Sequence, residues 1–163
     1  MDLYNEEQRG RCARFRPRLE GCVARDRQLS QGLQGCYVES FAFIAASVYR
    51  SLVVAEENRV LCELFEWMAE ETLEEFRLLG ELILALGGDA EITRLRVRPC
   101  GMASRSSGAS LVEETACRLR KNIDRYETLM SHTGDRVVRS ILAKLLSGQR
   151  RMLDRLQRVT SDK

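Results

Sequence analysis

The sequence predicts an all-α protein, a four-helix bundle, and three observations carry that prediction. Four stretches repeat apolar residues at i, i+3, i+4 and i+7, the spacing of an amphipathic helix, and none shows the period-two alternation of a strand. Pro17 and Pro99 are the two prolines of the chain, so nothing between them forces a helix to stop. Short polar turns separate the first helix from the second and the third from the fourth, whereas a long Pro, Gly and Ser stretch separates the second from the third. Two antiparallel hairpins joined by a long crossover loop are the arrangement that follows.

The elements are justified in order. Residues 1–29, with seven arginines and five acids, form a basic N-terminal extension, and residues 30–160 form the bundle. From Ser30, the positions Cys36, Glu39, Phe43, Ala46, Arg50 and Val53 recur at helical spacing, flanked by Tyr37, Phe41, Ile44 and Val48. The turn Ala55-Glu-Glu-Asn-Arg59 contains Asn58 as a helix N-cap. The second helix then runs to Leu86, about 45 Å at ~1.5 Å per residue. Leu61, Leu64, Phe65, Met68, Leu73, Phe76, Leu79, Leu82, Ile83 and Leu86 are its apolar positions, and Gly87-Gly88 supplies a left-handed exit. Residues 93–110 contain four arginines and no acid and form the crossover. The third helix, from Leu111 to about Ser131, turns Val112, Thr115, Ala116, Leu119, Ile123, Tyr126 and Met130 to one face. His132-Thr-Gly134 breaks it, and Asp135 opens a fourth helix to about Val159, with Val138, Ile141, Leu142, Leu145, Met152, Leu156 and Val159 inward.

Composition narrows the function classes. A chain of 163 residues with 44% hydrophobic content suits one domain, and 26 basic against 24 acidic residues give no net pull toward nucleic acid or membrane. The charge is unevenly placed: from Glu56 to Glu91 eleven acids face two arginines, a net of −9, while Asp135 to Lys163 holds eight basic residues and three acids, a net of +5. The two segments are expected to neutralise each other, and the basic stretches lack the interleaved aromatics that stack on bases. Six cysteines without a Cys-x-x-Cys pair, and a single histidine, His132, do not make a zinc site. No apolar leader opens the chain and the run Phe41 to Tyr49 is too short to span a bilayer, so a cytoplasmic protein is expected.

Met68-Ala69, the carboxylates Glu70, Glu71, Glu74 and Glu75, then Leu79-Gly-Glu-Leu-Ile83 and Leu86-Gly-Gly-Asp89 resemble the second helix of ferritin-like proteins of the rubrerythrin and manganese-catalase type. Glu39-Ser-x-Ala42, Asn122-Ile-x-x-Tyr126 and Asp135-x-x-Val138 extend the resemblance over the other helices. It implies a bundle holding two iron or manganese ions with a Glu on each of two helices and Glu-x-x-His on each of the others. Laid on that pattern, Glu39 matches the first ligand. Thr72 and Glu75 stand at the glutamate and histidine positions of the second helix, Leu119 at the glutamate position of the third, and Gly148 and Arg151 at the glutamate and histidine positions of the fourth. A shift of one residue would make Glu71-x-x-Glu74 the pair on the second helix.

The expected outcome is a ferritin-like bundle that has lost its di-metal centre and serves as a non-catalytic structural or interaction protein, a homodimer without metal or other cofactor. The alternative is a di-iron or manganese oxidoreductase using Glu39 with Glu71, Glu74 or Glu75. In the first case two inward carboxylates need a cation, and a Glu39, Arg151, Glu75 ion cluster is expected to replace the metals. Glu70, Glu71, Glu74 and Glu75 otherwise read as a solvated face that pairs with the basic fourth helix or with a partner chain.

Overall fold

The computed structural model describes residues 27–90 and 107–161, and they form four α-helices: α1 (Arg27–Val54), α2 (Arg59–Ala85), α3 (Gly108–His132) and α4 (Arg136–Ser161). No strand occurs among the described residues. Most of the N-terminal extension and of the expected crossover lies outside them. α1 starts three residues before Ser30, because Leu29 and Leu33 already belong to its buried stripe.

Local chemistry sets the ends. The Asn58 side chain accepts from Leu61 N at 3.1 Å, and Asp135 Oδ1 accepts from Val137 N at 2.7 Å and Val138 N at 3.1 Å, so α2 and α4 begin on side-chain caps. Ser107 caps α3 more loosely, accepting from Ser110 N at 3.4 Å. α2 closes with Gly87 at φ +77°; Gly87 N donates to Leu84 O and Gly88 N to Ile83 O, both at 3.0 Å. This paired closure needs a left-handed residue, which glycine supplies without a Cβ clash.

α1 packs along α2 and α3, and α4 packs along α2 and α3, so the helices follow the order α1, α2, α4, α3 around the core. Two apolar clusters give their directions. One joins Leu29, Leu33 and Tyr37 of α1 to Leu79 and Ile83 of α2, Tyr126 and Leu129 of α3, and Val138 and Leu142 of α4. The other joins Phe43 and Val54 to Leu61, Phe65 and Met68, then to Leu111 and Leu119, and to Met152 and Leu156. α1 and α4 therefore run one way, and α2 and α3 the other. The end of α2 and the start of α3 sit at opposite ends of the bundle.

Inward faces differ from expectation in places. On α1 the buried stripe contains Ser40, Ser47, Arg50, Ser51 and Val54, while Glu39 and Ala46 lie half-buried at its edge and Val53 is exposed. Small hydroxyls can turn inward cheaply by bonding their own helix, as Ser51 Oγ does to Val48 O at 2.8 Å. Leu73 of α2 points outward and Thr72 inward. α1 is also long and apolar enough, by length and composition, to cross a membrane, although 39% of its most apolar window is buried in the bundle. The short run Phe41 to Tyr49 understated it.

Gly87→Ala should lower stability by about 1–2 kcal/mol, the cost of a left-handed residue with a Cβ, and Asn58→Ala by about 1 kcal/mol through loss of the cap. Urea unfolding followed by circular dichroism measures both.

Candidate functional site

Between the two apolar clusters each helix turns one or two polar residues inward. These are Ser40 on α1, Thr72 and Glu75 on α2, Asn122 on α3 and Gln149 on α4, all buried. They interrupt otherwise apolar stripes: Thr72 and Glu75 fall between Met68 and Leu79, Asn122 between Leu119 and Tyr126, and Gln149 between Leu145 and Met152.

Glu75 is the centre of this layer. Its Oε1 accepts from Ser40 Oγ at 2.9 Å and from the Tyr126 hydroxyl at 2.5 Å; its Oε2 accepts from Gln149 Nε2 at 2.5 Å. Gln149 is oriented in turn by Asn122, whose Nδ2 donates to Gln149 Oε1 at 3.3 Å. Thr72 completes the layer, donating to Met68 O at 2.7 Å with its hydroxyl 3.8 Å from Met152 Sδ. One carboxylate thus receives hydrogen bonds from the three other helices, all from neutral groups.

Burial pushes the Glu75 carboxyl above the ordinary carboxylate range, and the bonds from Tyr126, Gln149 and Ser40 pull it back. Burial also raises the Tyr126 phenol well above its usual value, with the Glu75 charge adding to the effect. The neighbouring Cys36 thiol is pushed up to about 12, chiefly by burial, which makes it a small apolar core residue and a poor nucleophile.

The expected Glu39, Arg151, Glu75 ion cluster is not assembled. Glu39 lies at the α1/α3 edge, where its Oε1 accepts from Arg118 Nη2 at 2.7 Å and Nε at 3.1 Å. Arg151 is exposed and pairs with Glu71 at 2.9 Å. Rotation explains both: Ser40 and Gln149 take the inward positions on their helices, so Glu39 and Arg151 are turned toward the surface. Gly148, laid at the glutamate position of the fourth helix, is half-buried, and Gln149 beside it fills the centre. Glu74 stays on the surface near Arg77 at 3.9 Å, and Glu70 is exposed. Of the four glutamates, Glu71 forms an ion pair with the basic fourth helix, and Glu75 meets that helix through the neutral Gln149; Arg155 of α4 adds a cation–π contact, 4.3 Å over Trp67.

Sequence reasoning missed Ser40, Asn122 and Gln149 as members of the site. A partial signal was available for Asn122 and Gln149, which interrupt mainly apolar stripes, whereas Ser40 is one of several polar residues on the inward stripe of α1. His132 is exposed at the end of α3, with Nδ1 2.7 Å from Thr128 O. Among the described residues no group of three or more His, Cys, Asp or Glu side chains is placed to hold a metal ion. No protein-family model matches the chain, and no curated protein matches it in sequence.

Tyr126→Phe should cost about 1.5–3 kcal/mol, because it removes a donor from a buried carboxylate, and Asn122→Ala about 1 kcal/mol through the loosened Gln149; urea titrations give both values. Glu75 also makes stability depend on pH. Its carboxyl is raised in the folded chain, so the folded state holds the proton more tightly than the unfolded chain does. The resulting stability is fully present below the unfolded carboxyl pKa of about 4.3 and is lost as pH rises through the folded value. Melting temperatures of wild type and Glu75→Gln from pH 4 to pH 8 should therefore show wild type losing ground to the variant as pH rises.

Proposed function

We propose that this chain is a ferritin-like bundle in which a hydrogen-bonded carboxylate layer takes the place of a di-metal centre, and that it acts as a non-catalytic structural or interaction protein. The observation that carries the reading is the closed layer of Ser40, Glu75, Tyr126 and Gln149, one side chain from each helix, at mid-depth in the bundle. The helix directions support the connectivity, since a chain leaving α2 at one end of the bundle must begin α3 at the other.

The donor set does not fit two divalent cations. Such a pair needs about four carboxylates and two imidazoles facing one another. Ser40, Thr72, Glu75, Asn122, Tyr126, Gln149 and Met152 offer one carboxylate and no imidazole at this depth. That carboxylate already accepts three hydrogen bonds, from donors that would have to turn away before a cation could bind. Glu39 and Glu71, which an oxidoreductase reading would recruit, are engaged by Arg118 and Arg151.

A network that satisfies every partner of a buried charge specifies one alignment of four helices and penalises all slipped ones. This is a structural role, and it suits a rigid platform for binding another surface.

Protein purified from cells supplied with iron and manganese should carry far less than one equivalent of either metal by elemental analysis. Its melting temperature should be unchanged by chelator, because a ligand that binds only the folded state raises it. Stoichiometric metal, or a drop of several degrees with chelator, would overturn the reading.

A further inference from the structure

α1 carries a second apolar face, turned away from the bundle. Val38, Phe41, Ala45, Val48 and Leu52 follow one another at spacings of three and four, with Tyr49 and Val53 beside them, and no Asp, Glu, Lys or Arg falls on this stripe. Phe41 is 36% exposed, Val48 47%, Tyr49 46%, Leu52 71% and Val53 41%. The two charged residues of this part of the helix are committed elsewhere: Glu39 to Arg118 and buried Arg50 to Glu114 at 3.2 Å. Solvent-facing stripes of bundle helices ordinarily carry charge, as the outer faces of α2 and α4 do here.

We infer that this face is covered by a second copy of the chain, with the two α1 helices packed antiparallel about a two-fold axis at Ala45. The inference does not rest on the reading of the central layer. A three-and-four repeat is the seam that a second helix packs against at a shallow angle, and Ala45 on the stripe with Ala42 at its edge leaves room for close approach.

The area agrees with a dimer. At roughly 150–220 Å² per fully exposed residue, the exposed parts of Phe41, Val48, Tyr49, Leu52, Val53 and of Leu73 on α2, itself 56% exposed, amount to roughly 450–650 Å² of mostly apolar surface. A standard dimer face hides about 800 Å² per partner, of which about 56–65% is apolar, or roughly 450–520 Å².

Charge selects the same occupant. Glu66, Leu73 and Arg77 share one stripe of α2 at spacings of seven and four, with the midpoint of the two charges near residue 71. The contacts of Phe76 with Tyr37 (centroids 4.2 Å apart) and Phe41 (5.9 Å) set the antiparallel register of α2 on α1 and bring that midpoint level with Phe43 and Ile44, within two residues of Ala45. A two-fold axis there puts Glu66 of each protomer on the side of the other's Arg77. A membrane surface fits less well: the flank contributed by α2 carries Glu63, Glu66 and Glu70 against Arg59 and Arg77, a net negative charge that an anionic leaflet repels. A membrane-spanning α1 would carry Glu39 and Arg50 into hydrocarbon.

Sedimentation velocity and light scattering on the full chain test this directly. Wild type should run at twice 18.6 kDa at tens of micromolar. Leu52→Glu and Val48→Glu, whose side chains face away from the core, should shift dimer dissociation at least tenfold while keeping the helical circular dichroism and the melting of a folded bundle. As a second route, Glu66→Arg should weaken the dimer at least threefold, and Glu66→Arg with Arg77→Glu should restore it. A monomeric wild type, a dimer unaffected by both α1 variants, or a monomer that floats with phosphatidylcholine and phosphatidylglycerol vesicles would overturn the inference.

Discussion

The bundle is organised around one buried carboxylate. A glutamate 5% exposed to solvent cannot remain in an apolar core unless its oxygens are satisfied, and Glu75 receives its three donors from Ser40, Tyr126 and Gln149 on the other three helices. Those bonds fix the axial position of each helix more tightly than apolar packing alone, because a slip of one residue would carry a donor out of range. Asn122 then has its own constraint, since it orients the amide of Gln149. The layer divides the hydrophobic core into two clusters, one toward each end of the bundle.

Away from the centre, the seams between hairpins are held by different chemistry. α1 meets α3 through Glu39 with Arg118 and Arg50 with Glu114, and the Arg118 guanidinium also lies 5.6 Å over the Phe43 ring. α2 meets α4 through Glu71 with Arg151 and the stacking of Arg155 on Trp67. The exposed members of these pairs add little to stability, and their value lies in choosing which faces meet. The half-buried Arg118 pair, with both Nε and Nη2 on one carboxylate oxygen, is the strongest candidate for a stabilising contact among them. α1 stands apart from the other helices in presenting apolar surface on both sides, which makes its outward stripe the natural place for association.

Much of the architecture was legible in the residues. Four amphipathic repeats, the Asn58 cap and the Gly87 exit are local features, decided within a turn or two of chain, and periodicity reads such features well; Asp135, read as the first residue of the fourth helix, is its cap. Glu75 and Thr72 could be placed inward, and so could Leu119, now a fully buried core residue. Neighbours proved harder. Glu39 beside Ser40, and Arg151 two positions from Gln149, differ by about 100° and about 200° of helix rotation, and a preference for finding charge partners favoured the wrong member each time.

The sequence by itself determined the helices, their ends and the segregation of charge between the second and fourth, because propensity, capping and periodicity act over a few residues. Only the tertiary structure decided which polar side chains share the centre. That choice depends on the rotation of each helix and on its axial register against three others, and both are settled by long-range packing. Glu75 is joined to residues 35, 51 and 74 positions away in the chain, and no local pattern records such a meeting.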